Sequence, residues 1–477
     1  MLKKSVVISF IFLFLIAGAY LIFQKEGVTG FSIYSPNESF KCDNCSIILI
    51  SIDTLRADHL GVYGYGKNTS NNIDAFSKES IVFNNSYSVS AWTFPSHYSM
   101  FTSMYPSESE IVCCAASGFD RHTLTDSLKE NGYSAAGFIG GGFVGAKYGF
   151  NRSFDNYTTN GSRFQDNQEE VYEYIDSLKK DEKFFLFLHG YNAHRPYKAP
   201  DESKDLFAKP LMDACQEPIF VDDDNMDYPI AIQNQTCGDM KPGAEFQMSL
   251  YDAEIHYLDK FLGELFEKLK EEGLYDNTVI VITSDHGEEF NEHGSFGHVK
   301  HLYQESIRVP FIIKIPGSDY RYIETPVSNL DLMPTLLDII GIEEKEQVDG
   351  SSLLPILRGE DGKKIFALTG FPDAKNTTRR TGLVNNSKNR FLYATIQKDG
   401  KLIINKETIE FELYNLSTDY VEKNNIIDQN YAYAGILKND ISYWLEEMDF
   451  EEEINLDDVD SVTDPEVLEE LRALGYI

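Results

Sequence analysis

Continuous apolar runs punctuate the chain at Ser46–Ile52, Ser134–Ile139, Phe184–Leu188, Thr278–Thr283 and Pro310–Ile315. Runs of this kind, without polar alternation, are the pattern of strands buried on both faces. Between several of them a helical period takes over. From Glu245 to Glu271, Ile255, Leu258, Leu262, Leu265, Phe266 and Leu269 recur at three- and four-residue steps, one apolar stripe that Gly273 ends. Shorter helices are predicted at Thr123–Lys129, Gln168–Lys179 and Leu330–Ile340. Past about Lys364 the pattern changes to short alternating runs, Phe391–Gln397, Lys401–Asn405 and Glu410–Leu413, which predict a small antiparallel sheet. An amphipathic helix is predicted at Pro465–Leu474. The alternation of strands and helices is that of an α/β fold, and no internal repeat is visible.

Before the first strand the pattern is different. Lys3 and Lys4 precede an uncharged apolar stretch, Val6 to Phe23, which at ~1.5 Å rise per residue nearly crosses a hydrocarbon core. The expected organisation is an N-terminal membrane anchor or signal segment over residues 1–24 and a linker over 25–44. A catalytic α/β domain over 45–363 follows, then a small C-terminal α+β subdomain with an acidic tail over 364–477. Lysines on the amino side place that end in the cytoplasm and everything after Gln24 outside, in a single-pass cell-membrane protein. Ala17-Gly18-Ala19 keeps cleavage and secretion open as the alternative, and a buried core helix is a third reading.

The composition changes the picture in two ways. With 42 Lys+Arg against 76 Asp+Glu, the net charge of −34 repels a phosphate backbone and argues against nucleic acid as a partner. Part of the excess is the run Glu446–Asp460, read as a solvated tail. Six cysteines suit an oxidising compartment, and Cys215 and Cys237 bracket a segment that a disulfide could close. Cys42 and Cys45 have the spacing of half a zinc site, but no second Cys/His pair at finger spacing follows. Asn-x-Ser/Thr triplets, at Asn68, Asn151 and Asn415 among others, permit glycosylation of an exported surface.

The candidate chemistry lies at strand ends. Ligands gather at the carboxyl ends of strands in doubly wound sheets, and Asp53 closes the first run while Asp285-His286 follows Thr278–Thr283. Two carboxylates and an imidazole converging there would make a cation site. A third element, Ala91-Trp-Thr-Phe-Pro-Ser-His97, places Thr93 just ahead of Pro95 at the expected start of a helix. Thr93 reads either as an N-cap or as a nucleophile whose pKa a metal must lower. His97, His189, His194, His286, His293, His298 and His301 all fall beside these motifs, although the whole chain has 10 histidines.

In order along the chain, Ile50-Ser-Ile-Asp-Thr-Leu-Arg-Ala-Asp-His-Leu60, Thr93-Phe-Pro-Ser-His97, His194-Arg-Pro-Tyr197, Thr283-Ser-Asp-His-Gly-Glu288, Ile307-Arg-Val-Pro310, Leu413-Tyr-Asn-Leu416 and Leu471-Arg-Ala-Leu-Gly-Tyr476 resemble the sulfatase branch of the alkaline phosphatase superfamily. The resemblance implies a large mixed, mostly parallel sheet sandwiched by helices, with a small C-terminal antiparallel sheet. It also implies metal-dependent cleavage of sulfate or phosphate esters. Asp53, Asp285 and His286 match metal ligands, and Thr93 falls where the family carries a Cys or Ser that becomes formylglycine. Threonine at that position is what phosphodiesterase, phosphonate hydrolase and phosphoethanolamine- or phosphoglycerol-transferase relatives use, so Thr93 is expected to be both nucleophile and metal ligand. The family's arginine is His97 here, its second aspartate is Thr54, and its Lys-Trp-His segment has no match within Gly137–Phe150. His97, His194 and His298 are therefore expected to do the catalytic anion handling, with His189, His293 and Lys300 binding substrate.

One divalent ion, Mn, Zn, Ca or Mg, is the expected cofactor, and a second would draw on His194, His293 and His298. The expected substrate is a sulfate or phosphate ester on a glycan or lipid headgroup. The alternatives are a sulfatase proper, a catalytically silent anion-binding surface protein of the same fold, and a structural envelope component.

Overall fold

The computed structural model describes residues 40–107, 121–179, 182–209, 243–372, 389–429 and 431–448. The expected anchor, most of the linker, the Cys215–Cys237 pairing, most of the acidic run and the helix at Pro465–Leu474 lie outside the described residues. Among the described residues no helix is long and apolar enough to cross a membrane.

Each continuous apolar run forms a strand. In chain order β1 (Ser46–Ile52), β2 (Ile81–Phe83), β3 (Ser134–Ile139), β4 (Asn156–Thr158), β5 (Phe184–Gly190), β6 (Thr278–Thr283), β7 (Phe311–Lys314) and β8 (Arg321–Ile323) make an eight-stranded sheet ordered β8-β2-β7-β6-β1-β5-β3-β4. β1 is central and parallel to both β5 and β6, whereas β7 runs antiparallel to both of its neighbours. The edge strands β2, β4 and β8 are too short to show a period in the sequence.

Alternate residues of the central strands feed two cores. Ile47 and Leu49 lie with Phe185, Phe187, Val279 and Val281 on one face. Ile48, Ile50 and Ile52 lie with Leu186, Leu188, Ile280 and Ile282 on the other. The first core is covered by α1 (Thr93–Thr102), α2 (Leu124–Glu130) and α4 (Leu332–Ile339); the second by α3 (Gly243–Glu271), whose predicted stripe from Ile255 to Leu269 is buried. Because both faces are buried, every side chain of β1 and β6 is removed from water, which is why these runs carry no polar alternation.

A second sheet begins at Ile365. β9 (Ile365–Pro372), β10 (Asn389–Gln397), β11 (Gly400–Asn405) and β12 (Glu410–Asn415) form an antiparallel meander. On one face α5 (Tyr431–Glu447) packs Tyr433, Leu437, Ile441 and Trp444. On the other, Ile365, Ala367, Ala394 and Ile403 meet Tyr87, Ala91, Leu302 and Ile307 of the large sheet's loops. That second contact buttresses the segment that carries His298 and Lys300.

Candidate active site

Asp53 follows β1 directly, its amide bonded to Gly190 O at 3.1 Å at the end of β5. Thr54 then takes a left-handed conformation, φ 60°, which is costly for a β-branched residue. Three hydrogen bonds hold it there. Thr54 N donates to Asp285 Oδ1 (3.2 Å), Thr54 Oγ1 to Asp53 O (2.7 Å), and Tyr251 Oη to Thr54 O (2.8 Å). The Thr54 hydroxyl, at the position of the second aspartate in the family resemblance, is thus committed to backbone.

Asp285 and His286 leave β6 beside it. Asp285 Oδ1 also accepts from His286 N at 2.9 Å, so Oδ1 is satisfied while Oδ2 is buried with no hydrogen-bond partner. His286 Nδ1 donates to Gly287 O at 2.9 Å, which leaves the Nε2 lone pair facing inward. Burial holds this imidazole neutral, its pKa pushed down to about 4.

Trp92, not Thr93, is the residue before α1, and Thr93 is the first helical residue, so the N-cap reading is set aside. Pro95 sits inside the first turn, where a missing N–H costs nothing. The Thr93 hydroxyl is buried and lies 3.3 Å from Asp53 Oδ2 and 3.3 Å from His286 Nε2. Ser96, one turn on, donates to Asp285 O at 2.7 Å and locks the helix start to the β6 loop.

The histidines divide. His97 is fully buried, with Nδ1 2.9 Å from Thr93 O and Nε2 2.9 Å from Ser51 Oγ. His189, at the end of β5, lies edge-on to His97 with ring centroids 4.9 Å apart, and its Nε2 is 3.6 Å from Asp53 Oδ2. At the rim His298 is 4.6 Å from the His286 ring and 5.2 Å from the His194 ring. His298 Nδ1 donates to Glu288 Oε2 at 2.9 Å, and Arg195 Nε pairs with Glu288 Oε1 at 3.0 Å.

Two of the expected substrate-binding residues do not join this cluster. Both nitrogens of His293 are engaged elsewhere, with Glu305 Oε1 at 2.6 Å and Glu422 O at 2.9 Å, and its ring stacks on Tyr303 at 3.7 Å. Lys300 is exposed and bonds Ser295 Oγ at 3.2 Å. His301 likewise pairs with Glu289 at 2.8 Å, away from Thr93. Half a zinc site at Cys42 and Cys45 is excluded by the disulfide that joins them.

Sequence reasoning missed Glu288 as the group that orients His298, although it lies in the Thr283–Glu288 motif. It also missed Tyr191, whose ring is 4.8 Å from His189 and 5.4 Å from His194. Gly140 and Gly142 admit that tyrosine: a Cβ on either would come within 2.7 and 2.3 Å of it.

Asp53, Asp285 and His286 present ligand atoms within 4.8 Å of one another, all buried, and could hold a metal ion. Asp53 Oδ1 and Asp285 Oδ2 have no hydrogen-bond partner, a state that costs about 1–3 kcal/mol per group unless something fills it. Burial, then repulsion from Asp285, pushes Asp53 well above the usual carboxylate range. Burial opposes the charge on Asp285 too, but His286, His97 and His189 outweigh it and hold that carboxyl low. Two carboxylates driven apart in this way, with a neutral imidazole between them, are a donor set that fits a divalent cation.

The family model for sulfatases matches residues 46–342. The chain belongs to the sulfatase family. A second model, the C-terminal region of N-sulphoglucosamine sulphohydrolase, matches residues 291–448. The chain is thus an ester hydrolase of the alkaline phosphatase superfamily. It is 24% identical to the uncharacterized sulfatase YidJ of Escherichia coli over 80% of this chain and 83% of that one. It is 32% identical to the choline-sulfatase of Rhizobium meliloti over 35% of this chain and 32% of that protein. Among solved structures, the phosphonate monoester hydrolase of Agrobacterium radiobacter superposes with a TM-score of 0.65 at 19% identity, covering 84% of this chain and 95% of that one. A structure in complex with its substrate D-glucosamine-2-N,6-O-disulfate superposes with a TM-score of 0.68 at 20% identity, covering 86% and 99%. At these identities the structural likeness establishes the sulfatase-like fold.

Proposed function

We propose that this sulfatase-family protein cleaves or transfers phosphate esters with Thr93 as nucleophile, and that one divalent cation is held by Asp53, Asp285, His286 and the Thr93 hydroxyl. The observation that carries the reading is the Thr93 hydroxyl, buried and 3.3 Å from both Asp53 Oδ2 and His286 Nε2, where no cysteine or serine is present to be converted to an aldehyde. When bound, the cation supplies a Lewis acid that lowers the pKa of the hydroxyl and offsets negative charge on the ester oxygens.

The chain's own residues do the rest. Asp53 Oδ2 accepts the Thr93 proton as Oγ1 bonds to phosphorus and the ester P–O bond breaks. His298, fixed by Glu288 so that Nε2 is its free nitrogen, gives the departing oxygen a proton. His97 holds the first turn of α1, and His194 lines the rim beside His298. Water or an acceptor alcohol then takes the phosphoryl group from threonine. The substrate class is an anionic ester on a glycan or lipid headgroup. An externally facing, membrane-tethered domain is supported by the apolar stretch from Val6 to Phe23 behind two lysines and by the Cys42–Cys45 disulfide.

A second reading, sulfate ester hydrolysis, is favoured by the sulfatase names of its relatives. Turnover of matched aryl sulfate, phosphate monoester and phosphodiester substrates, with mass analysis of the quenched Thr93 peptide, separates the two. A phosphorylated Thr93 and phosphate turnover are expected. Sulfate-only turnover that requires an aldehyde at residue 93 overturns the proposal.

A further inference from the structure

The centre contains more unpaired donors than one cation set uses. His97, His189 and Asp285 form another buried group whose ligand atoms all lie within 4.8 Å of one another, in addition to Asp53, Asp285 and His286. Asp285 belongs to both, and its geometry shows how. Oδ1 is taken by the amides of Thr54 and His286, while Oδ2 has no hydrogen-bond partner and faces both ways, 3.4 Å from His286 Nε2 and 3.6 Å from His97 Nδ1.

His189 is the second observation. It is fully buried, and neither ring nitrogen has a hydrogen-bond partner. A neutral imidazole has one N–H and one lone pair, and a buried histidine ordinarily satisfies at least one of them. Here the ring stands between Asp53 Oδ2 and the edge of His97, with a lone pair available to a cation.

His97 is compatible with ligation in one tautomer. With the proton on Nε2, that nitrogen donates to Ser51 Oγ, 2.9 Å away, and Nδ1 presents its lone pair toward Asp285 Oδ2. The Thr93 carbonyl, which Nδ1 otherwise meets at 2.9 Å, opens helix α1 and keeps the helix's own i+4 amide as partner.

We propose that the centre binds two divalent cations side by side, one held by Asp53 and His286, the other by His97 and His189, with Asp285 Oδ2 shared between them. The inference rests on the metal-dependent reading above. Two imidazoles and one carboxylate oxygen select Mn²⁺ or Zn²⁺ over Ca²⁺ or Mg²⁺. A second cation supplies charge to a second ester oxygen, which suits phosphoester cleavage.

Metal content decides it. The full chain is stripped with chelator, reloaded with Mn²⁺ and freed of excess ion; metal per chain is measured by mass spectrometry and the electron paramagnetic resonance spectrum is recorded. Two Mn²⁺ per chain with the broadened signal of a coupled pair are expected. One Mn²⁺ per chain with the sharp pattern of an isolated ion overturns the inference and leaves the single-metal reading standing; none overturns both. In His189→Ala the content is expected to fall from two to one and the sharp pattern to appear, whereas two retained ions overturn the assignment. Circular dichroism checks that the variant is folded, and His189→Asn replaces it if it is not; the wild-type stoichiometry decides independently of either.

Discussion

At the scale of single residues, the centre is built by giving each polar atom a defined partner except those that face the reaction. Glu288 is the clearest case. Burial alone would raise its pKa, but His298 and Arg195 outweigh burial and hold the carboxyl at about 2, so it stays charged and keeps Nδ1 of His298 protonated. Glu288→Gln preserves the shape and removes the charge. It is expected to lower kcat by roughly 10- to 100-fold with little change in KM, because His298 is left free to adopt the wrong tautomer. Steady-state kinetics check this. An unchanged kcat would mean that His298 does not act on the reacting group. Glu288 was legible in the sequence only as a member of a motif; that it faces His298, ten positions on, follows from a loop path that no period encodes.

At the scale of elements, strand ends and helix starts deliver the reacting groups, and the loops that finish the site carry strain. Val299, next to His298, is β-branched at φ 83°, with its amide on Ala91 O at 3.0 Å and its carbonyl accepting from Thr369 Oγ1 at 2.6 Å. A left-handed conformation of this kind costs about 1–3 kcal/mol, and glycine relieves it at an entropic cost of about 0.5–1 kcal/mol. Val299→Gly is therefore expected to raise unfolding stability by up to about 1 kcal/mol while lowering kcat, since the loop no longer fixes His298. Denaturant melts beside turnover test both halves, and a variant that loses stability would show that the side chain, not the backbone, sets the balance. The long elements were readable: α3 begins two residues before its predicted start and ends at the predicted residue, and β7 loses Pro310, which has no N–H to give a ladder. β9 and α5 were missed. β9 carries Gly370 and ends on Pro372, which break a strand pattern, and the stripe of α5 is diluted by Ala434 and tyrosines.

At the scale of the whole molecule, the small sheet and the large one are tied together by the residue expected to bind substrate. His293 donates from both nitrogens, to Glu305 and to Glu422 O in the segment that follows β12. Burial disfavours its charge, but Glu305 and the Glu422 carbonyl outweigh burial and raise its pKa. The folded state then binds the proton more tightly than the unfolded chain, so the contribution is complete below the unfolded value of about 6.5 and is lost as pH rises through the higher folded value. Thermal melts between pH 6 and 9 are expected to show wild type losing stability with rising pH and His293→Gln starting lower but with a flatter profile. A parallel profile would remove His293 from the tie.

The sequence by itself determined the α/β class, the central strands and the convergence of Asp53, Asp285, His286 and Thr93. Apolar periodicity is local, and parallel strands bring their carboxyl ends to one edge of the sheet whatever the intervening loops do. Only the tertiary structure decided which histidines reach that edge. His189 and His293 are equally close to a motif, yet one turns inward from a strand end and the other is claimed by a loop from the small sheet, because side-chain direction depends on backbone turns and on partners more than a hundred residues away.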